Sequence, residues 1–337
     1  MFTPLRPGSS GRAVPWFPTA PATPDLEIGQ SVIISKEMNM YPRQRTLAEP
    51  VTFNGKGVHS GKPVTLTIKP APPNFGIKFR RVDLPGKPLI SSHFNRVVDT
   101  SLATVIGEDG YIVSTIEHLM ATFAGLSVDN AIAELDDYEV PIMDGSAGVF
   151  TETIKRTGIV EQDSPRLYFV IESPIEFKKD GKSVCVYPSR RPIISCTIKF
   201  DHPVIDEQHF TLELSDSAFA EQISRARTFG FYQEVEFLKF YGLAQGGSLE
   251  NAVVIDDNGV MNDGGLRYPD EFVRHKILDC IGDFSLLGMP ILGRIELYKS
   301  GHNFNHEFLK AFFTHKHAWK TMTLDEADAA MSPDHPR

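Results

Sequence analysis

The chain has 337 residues, 41% hydrophobic and 23% charged, an ordinary globular composition long enough for two domains with separate cores. Its formal net charge of −9 argues against a nucleic-acid partner, although the runs 78–81 and 190–191 carry local positive charge. No stretch approaches the roughly 18 consecutive apolar residues of a transmembrane helix, and Cys185, Cys196 and Cys280 lack the C-x-x-C spacing of a thiolate metal site, which fits a reducing cytosol.

Residues 1–24 hold six prolines, two arginines and no acidic residue, too little apolar surface to fold. They contain no apolar stretch for a signal peptide and few arginines for a transit peptide. Met38 and Met40 stand just before the first clear strand, so translation from either is an alternative start. From Arg45, short alternating runs bounded by Gly and Pro predict antiparallel strands at 51–53, 64–68, 77–80 and 94–98. A helix over 115–124, stopped by Gly125, precedes a strand at 128–135, and a turn at Asp144 and Gly145 leads into a helix ending near Gly158.

After Ser164 and Pro165 the order starts again, with strands at 167–171, 184–187, 193–200 and 210–214 and a helix near 218–225. The segment 228–247 interrupts it. A strand at 252–255, a helix over 270–287, a strand at 291–298 and a helix from 303 to about 316 complete the chain. The two halves end alike, HLMATFAGLSVDNAIAEL corresponding loosely to HKILDCIGDFSLLGMPILGRIEL. The expected fold class is therefore α+β: two similar domains, each of antiparallel strands followed by helix, strand and helix. They are expected to pack as a duplicated sandwich about a pseudo-twofold axis with a site at their interface. In that arrangement His118 and His275, which open the two segments, occupy related places and converge.

Helix 270–287 carries the strongest site signal. At 100° per residue, Ile277, Leu278, Ile281 and Phe284 gather on one side, and His275, Asp279 and Asp283 lie within about 80° of each other on the opposite side. A solvated face normally carries good helix formers, whereas His, Asp and Gly282 each weaken a helix, Gly by about 1 kcal/mol. A His and an Asp four residues apart can reach one metal ion, and the missing side chain of Gly282 lets a ligand approach. Cys280 falls off this face as apolar filler.

His118, His275 and Asp279 make a three-ligand set with a free fourth position, the pattern of a catalytic rather than a structural zinc. Glu117 is placed to take the proton of attacking water, as the Glu of H-E-x-x-H does; its simpler role is first-turn stabilisation by the helix dipole, about 0.3–1 kcal/mol. His302, between a strand and a helix, is a candidate proton donor to a leaving amide nitrogen, and Asp283 a partner that raises its pKa. His93, His209, His306 and His335 read as structural or surface residues, and the His315/His317 pair as solvated. The interrupting segment carries Phe229, Phe231, Tyr232, Phe237, Leu238, Phe240 and Tyr241. Either Phe231, Val235 and Leu238 face the core, or the segment forms a channel for an aliphatic chain.

With these residues assembled, the chain resembles the zinc-dependent UDP-3-O-acyl-N-acetylglucosamine deacetylases of lipid A synthesis in Gram-negative bacteria. The resemblance rests on KGVHSGKPVTLTIKPAP, STIEHLMATFAGL, PIMDGSA, SRARTFGF, DEFVRHKILDCIGD and YKSGHN, in the family's order between Gln44 and about Leu324. It implies hydrolysis of the N-acetyl group of UDP-3-O-(3-hydroxyacyl)-N-acetylglucosamine to acetate and the free amine. It implies zinc, with iron(II) possible, on His118, His275 and Asp279, with Glu117 as base, His302 as proton donor and Asp283 as its support. Thr228 matches the hydroxyl that steadies the oxyanion, Lys276 and Phe229 match residues at the sugar-nucleotide end, and Phe200 matches one near the uridine. Asp201 stands where that last motif has Asn.

The resemblance also sets the expected layout: 1–42 a disordered or non-family extension, 43–163 a first domain carrying Glu117 and His118, 164–324 a second, and 325–337 a tail. The second domain holds the acyl-passage insert at about 228–250 with His275, Asp279 and His302. A cytoplasmic monomer without a nucleic-acid partner is expected. Two other readings compete. A two-His, one-carboxylate set also describes non-haem iron oxygenases, which have no need of flanking Glu117 and His302; a non-catalytic lipid- or nucleotide-binding module fits less well, because none of the ligands is missing.

Overall fold

The structure, a computed structural model, describes residues 40–331. Two five-stranded sheets frame it. In the first, β1 (Val51–Lys56), β2 (Pro63–Pro70), β3 (Ile77–Arg81), β4 (Leu89–Ser91) and β5 (Ala131–Leu135) lie in the order β1-β2-β5-β3-β4. Neighbours are antiparallel except β3 and β5, which run parallel from Ile77↔Ala131 to Arg81↔Leu135. In the second, β6 (Ile175–Lys179), β7 (Lys182–Tyr187), β8 (Ile193–Lys199), β9 (Glu207–Glu213) and β10 (Arg294–Tyr298) lie in the order β6-β7-β10-β8-β9. Here too one pair, β8 with β10, is parallel and the rest are antiparallel. The alternation that predicted β2 works as pattern demands: Val64, Leu66 and Ile68 are buried, with Thr65 and Thr67 between them half-buried on the other face.

The longer helices are α1 (Glu117–Gly125), α2 (Gly148–Thr157), α3 (Tyr232–Phe240), α4 (Glu271–Ser285), α5 (His302–Phe312) and α6 (Leu324–Ala330), and the helix expected near 218–225 is a short turn, Asp216–Ala218, continued as a π-helical turn over Phe219–Ile223. One hydrophobic core runs through both sheets and the α1–α4 pair, from Leu66 and Phe79 through Leu119 and Ile277 to Val184 and Leu297. The core is thus continuous across the expected boundary at 163/164. The contact of α1 with α4 depends on Gly282, where a Cβ would stand 2.1 Å from the Glu117 carbonyl oxygen. The expectation that Gly282 admits a ligand is therefore corrected: the neighbouring helix fills that space. Among the described residues no helix is long and apolar enough to cross a membrane.

Several sequence expectations shift. The strand expected at 94–98 begins as a 3₁₀ turn, Phe94–Arg96, before the short strand Val97–Asp99. The strand at 291–298 is broken at Gly293, which sits so close to the Tyr187 carbonyl and Ile171 that a Cβ would lie 2.9 Å and 2.8 Å from them. Its first piece, Ile291–Leu292, instead pairs in parallel with Tyr168–Ile171. The last long helix stops at Phe312 and continues as 3₁₀ turns over Phe313–Ala318. Strands Arg43–Leu47 and Ile159–Pro165, which pair with each other, were not expected; EQDS in the second has no apolar alternation to reveal it.

The terminal boundaries move as well. Met40, assigned to the extension, is only 8% exposed against Tyr168, Val170 and Leu292. The Tyr41 carbonyl accepts from the Tyr168 hydroxyl at 2.8 Å, and the Pro42 carbonyl from the Arg166 N–H at 2.8 Å. At the other end the expected tail forms α6, opened by a capping box between Thr323 and Glu326, which buries Leu324 and Ala327 in the same cluster. The rest of the expected extension, Met38 included, and His335 lie outside the described residues.

Candidate metal centre

The close approach of α1 and α4 brings three buried side chains together: His118 in the first turn of α1, and His275 and Asp279 one turn apart on α4. Their ligand atoms all lie within 4.8 Å of one another, the one such group of three among the described residues. Asp279 Oδ1 stands 3.2 Å from His275 Nε2 and 3.8 Å from His118 Nε2. Enclosed and without a hydrogen-bond partner, Oδ1 is an orphan, whereas Oδ2 accepts from Lys276 Nζ at 2.9 Å. The Ala226 carbonyl lies 3.1 Å from His275 Nδ1, which assigns the ring proton there and turns the Nε2 lone pair toward the cluster. A buried unpaired carboxylate oxygen facing two imidazole nitrogens is a donor set that fits one cation.

The electrostatics suit the same task. Burial, reinforced by neighbouring His275, pushes His118 down to about 3, and burial also lowers His275, so both rings are neutral at ordinary pH, the form a metal ligand needs. Burial acts to raise Asp279, but His275, Lys276 and His302 outweigh it and hold the carboxyl far below the usual range. Ala226 is itself fixed by its neighbour. Arg227 makes a buried ion pair with Glu271 at the start of α4, its Nε 2.8 Å from Oε1, which ties this segment to the helix.

A second cluster flanks the first. Glu117, the first residue of α1, accepts from the Thr104 N–H at 3.0 Å through Oε2, and its Oε1 lies 4.0 Å from His302 Nε2. His302 opens α5, and its Nδ1 is 2.9 Å from Asp283 Oδ2, which also accepts from Asn305 at 2.8 Å. The Thr104 hydroxyl donates to Asp283 Oδ1 at 2.6 Å. Thr104 thereby joins the two carboxylates, and neither it nor Asn305 is singled out by periodicity or motif. Burial raises Glu117 to about 7 against the opposing pull of His302. Burial acts to lower His302, but Asp283, with help from Asp279 and Glu117, lifts it to about 10. Glu117 therefore ionises while His302 still holds its proton.

The other candidates gather beside His275. The Phe229 ring centroid lies 6.1 Å from that of His275, 5.0 Å from Phe272 and 5.8 Å from Phe200, and Lys276 Nζ stands 5.6 Å over Phe229. Thr228, between Ala226 and Phe229, donates its N–H to Gly145 and accepts from the Val253 N–H, both at 2.8 Å. The short strand Phe229–Phe231 leads into α3, which buries no residue. Of the three residues expected to face the core, half-buried Phe231 packs against it; for Val235 and Leu238 the expectation is corrected, since both are only half-buried and α3 packs chiefly on the short strands beside it. Phe237, Phe240 and Tyr241 are 62%, 83% and 64% exposed. His93, His209 and His306 bond to Asn95, to Thr197 and Thr211, and to the Phe94 carbonyl.

Residues 44–314 match a family model described as UDP-3-O-acyl N-acetylglycosamine deacetylase. Three relatives are each named UDP-3-O-acyl-N-acetylglucosamine deacetylase. That of Myxococcus xanthus is 52% identical over 267 residues, 79% of this chain and 85% of the relative. That of Teredinibacter turnerae is 46% identical over 290 residues, 86% and 96% of the two chains. That of Geotalea uraniireducens is 47% identical over 281 residues, 83% and 92%.

Proposed function

Because the chain belongs to the UDP-3-O-acyl-N-acetylglucosamine deacetylases, amide hydrolases of lipid A biosynthesis, we propose that His118, His275 and Asp279 hold a zinc ion beside the scissile N-acetyl group. Iron(II) is the alternative occupant. The observation that carries this reading is the orphaned, buried Oδ1 of Asp279 between two imidazole Nε2 atoms. When bound, the ion supplies a Lewis acid to the amide carbonyl.

The chain's own groups do the rest. Glu117 takes a proton from the attacking water, and a cation at its side favours the ionised form further. His302, kept protonated by Asp283, delivers a proton to the leaving nitrogen, so the amine of UDP-3-O-(3-hydroxyacyl)-glucosamine departs and acetate remains. Thr104 holds Glu117 with its N–H and Asp283 with its hydroxyl, fixing base and acid relative to each other. Thr228 steadies the oxyanion, Lys276 and Phe229 take the sugar-nucleotide end, and Phe200 takes the uridine. Exposed Asp201 replaces the family's Asn beside it. The covered side of α3 is the passage for the acyl chain, a role supported by its lack of core contacts.

The shared strand order of the two sheets supports a duplicated unit with the centre between its halves, 43–163 and 164–324. Within it His118 lies in the first turn of α1 and His275 in the second turn of α4. We infer a cytoplasmic monomer. A two-His, one-carboxylate set also serves oxygenases, but the family match and the flanking Glu117 and His302 favour hydrolysis. The test is acetate release from the acylated UDP-sugar with and without a chelator. Activity should vanish on chelation and return with zinc; full turnover by metal-free protein would overturn the reading.

A further inference from the structure

The helices that carry the metal centre enclose a second space on their other side. A cavity of about 290 Å³ is walled by Met120 and Phe123 of α1, by Ile281 and Phe284 of α4, and by the facing strands β3 and β8. At 100° per residue these four side chains stand about 140° to 200° around their helices from His118 and Asp279, so the cavity is separate from the proposed reaction site.

Its polar lining is cationic. Arg166 is only 7% exposed; its Nε bonds to Asp129 at 2.8 Å and its Nη1 to the Tyr168 hydroxyl at 3.4 Å, and Nη2 has no hydrogen bond among the described residues. Lys78 also lines the cavity; its ammonium lies 4.3 Å from the Phe75 ring and in no ion pair among the described residues. Asp129, the one acidic group in the lining, is already engaged by Arg166. Apolar walls alone would accept any hydrocarbon, but a buried guanidinium with a free donor and an unpaired ammonium select an anionic head.

We propose that this cavity binds a fatty carboxylate, its tail along Met120, Phe123, Ile281 and Phe284 and its carboxylate on Arg166 and Lys78. The proposal rests on neither the metal nor the deacetylase reading. Calorimetric titration of the full, metal-loaded chain with dodecanoate tests it. Wild type should bind saturably, and Lys78→Ala should weaken dodecanoate by about tenfold while leaving dodecan-1-ol unchanged. Ala124→Met, which fills the cavity from α1, should abolish binding of both and leave acetate release intact. If that variant fails to fold, the dodecanoate and dodecanol pair on Lys78→Ala decides. Absence of saturable binding overturns the proposal. So does binding indifferent to these substitutions, which would assign the tail to the passage beside Phe229.

Discussion

Helices α4 and α3 depart from the rule for surface helices in opposite directions. A surface helix keeps its polar side wet and buries its apolar stripe. In α4 both sides are buried, so His275, Asp279 and Asp283 are as enclosed as Ile277, Leu278 and Ile281. In α3 no side is buried, and Phe237 and Phe240 face solvent. Buried polar groups persist when partners satisfy them. Those of α4 are partnered by Ala226, Lys276, Thr104, Asn305 and His302, and the one atom left over, Asp279 Oδ1, is the one on which the proposed metal site rests. A half-covered apolar side outside the core, such as that of Val235 and Leu238, is conversely free to meet something apolar. On the function proposed above, chemistry belongs to α4 and its neighbours, and the acyl passage to the covered side of α3.

That contrast can be broken most forcefully at the base. Glu117→Gln should keep the metal yet lower kcat by about 10²–10⁴, and His302→Gln should do likewise while flattening the alkaline limb of kcat/KM. Coupled groups share such limbs, so the comparison of variants decides rather than one apparent pKa. If His302→Gln keeps wild-type kcat and limb, Glu117 must move the proton in both directions.

A smaller effect is expected from Thr104→Val, which leaves the Thr104 N–H on Glu117 but deprives buried Asp283 of a donor. Urea unfolding should register a loss of about 1–3 kcal/mol; an unchanged midpoint would mean Asp283 does not need Thr104. The metal-free chain should also reveal the buried charges through pH. His118 stays neutral in the fold down to about 3, so its contribution is complete above 6.5 and falls away as pH drops from 6.5 toward 3. The raised groups act oppositely: the contribution of Glu117 declines as pH climbs from 4.5 through about 7, and that of His302 from 6.5 through about 10. Glu117→Gln should therefore raise the metal-free unfolding midpoint at pH 8 relative to wild type and change it least at pH 4.

The smallest stability effects belong to α3. Leu238→Asn should raise KM for the acylated substrate with Tm nearly unchanged, and Phe240→Ser should move neither measurably. A large fall in Tm for Leu238→Asn would return α3 to the core and remove the contrast.

How much of this was legible in the sequence follows the same division. The period of β2 and the polar stripe of α4 could be read because each depends on local spacing. That α4 is enclosed on both sides could not be read, since it depends on α1 arriving against Gly282 from far along the chain. Thr104 was invisible for a related reason. It lies in an irregular segment and acquires its role only where Glu117 and Asp283, distant in sequence, meet. The break at Gly293 leaves no trace in the sequence because a strand pattern continues through it, and only the crowding by Ile171 and Tyr187 explains it. Met40 and α6 could not be placed from local spacing, each being too short to hold structure until packed on Tyr168 and Val170.

If the orphaned oxygen of Asp279 is a metal ligand, metal binding should depend on its negative charge. Asp279→Asn tests it most directly, because the side chain keeps its size and its place on α4. Equilibrated in buffered zinc, wild type should carry about one ion per chain. The variant should lose the zinc and acetate release together while keeping its far-UV circular dichroism. A folded Asp279→Asn chain that retains both its zinc and its turnover would contradict the account.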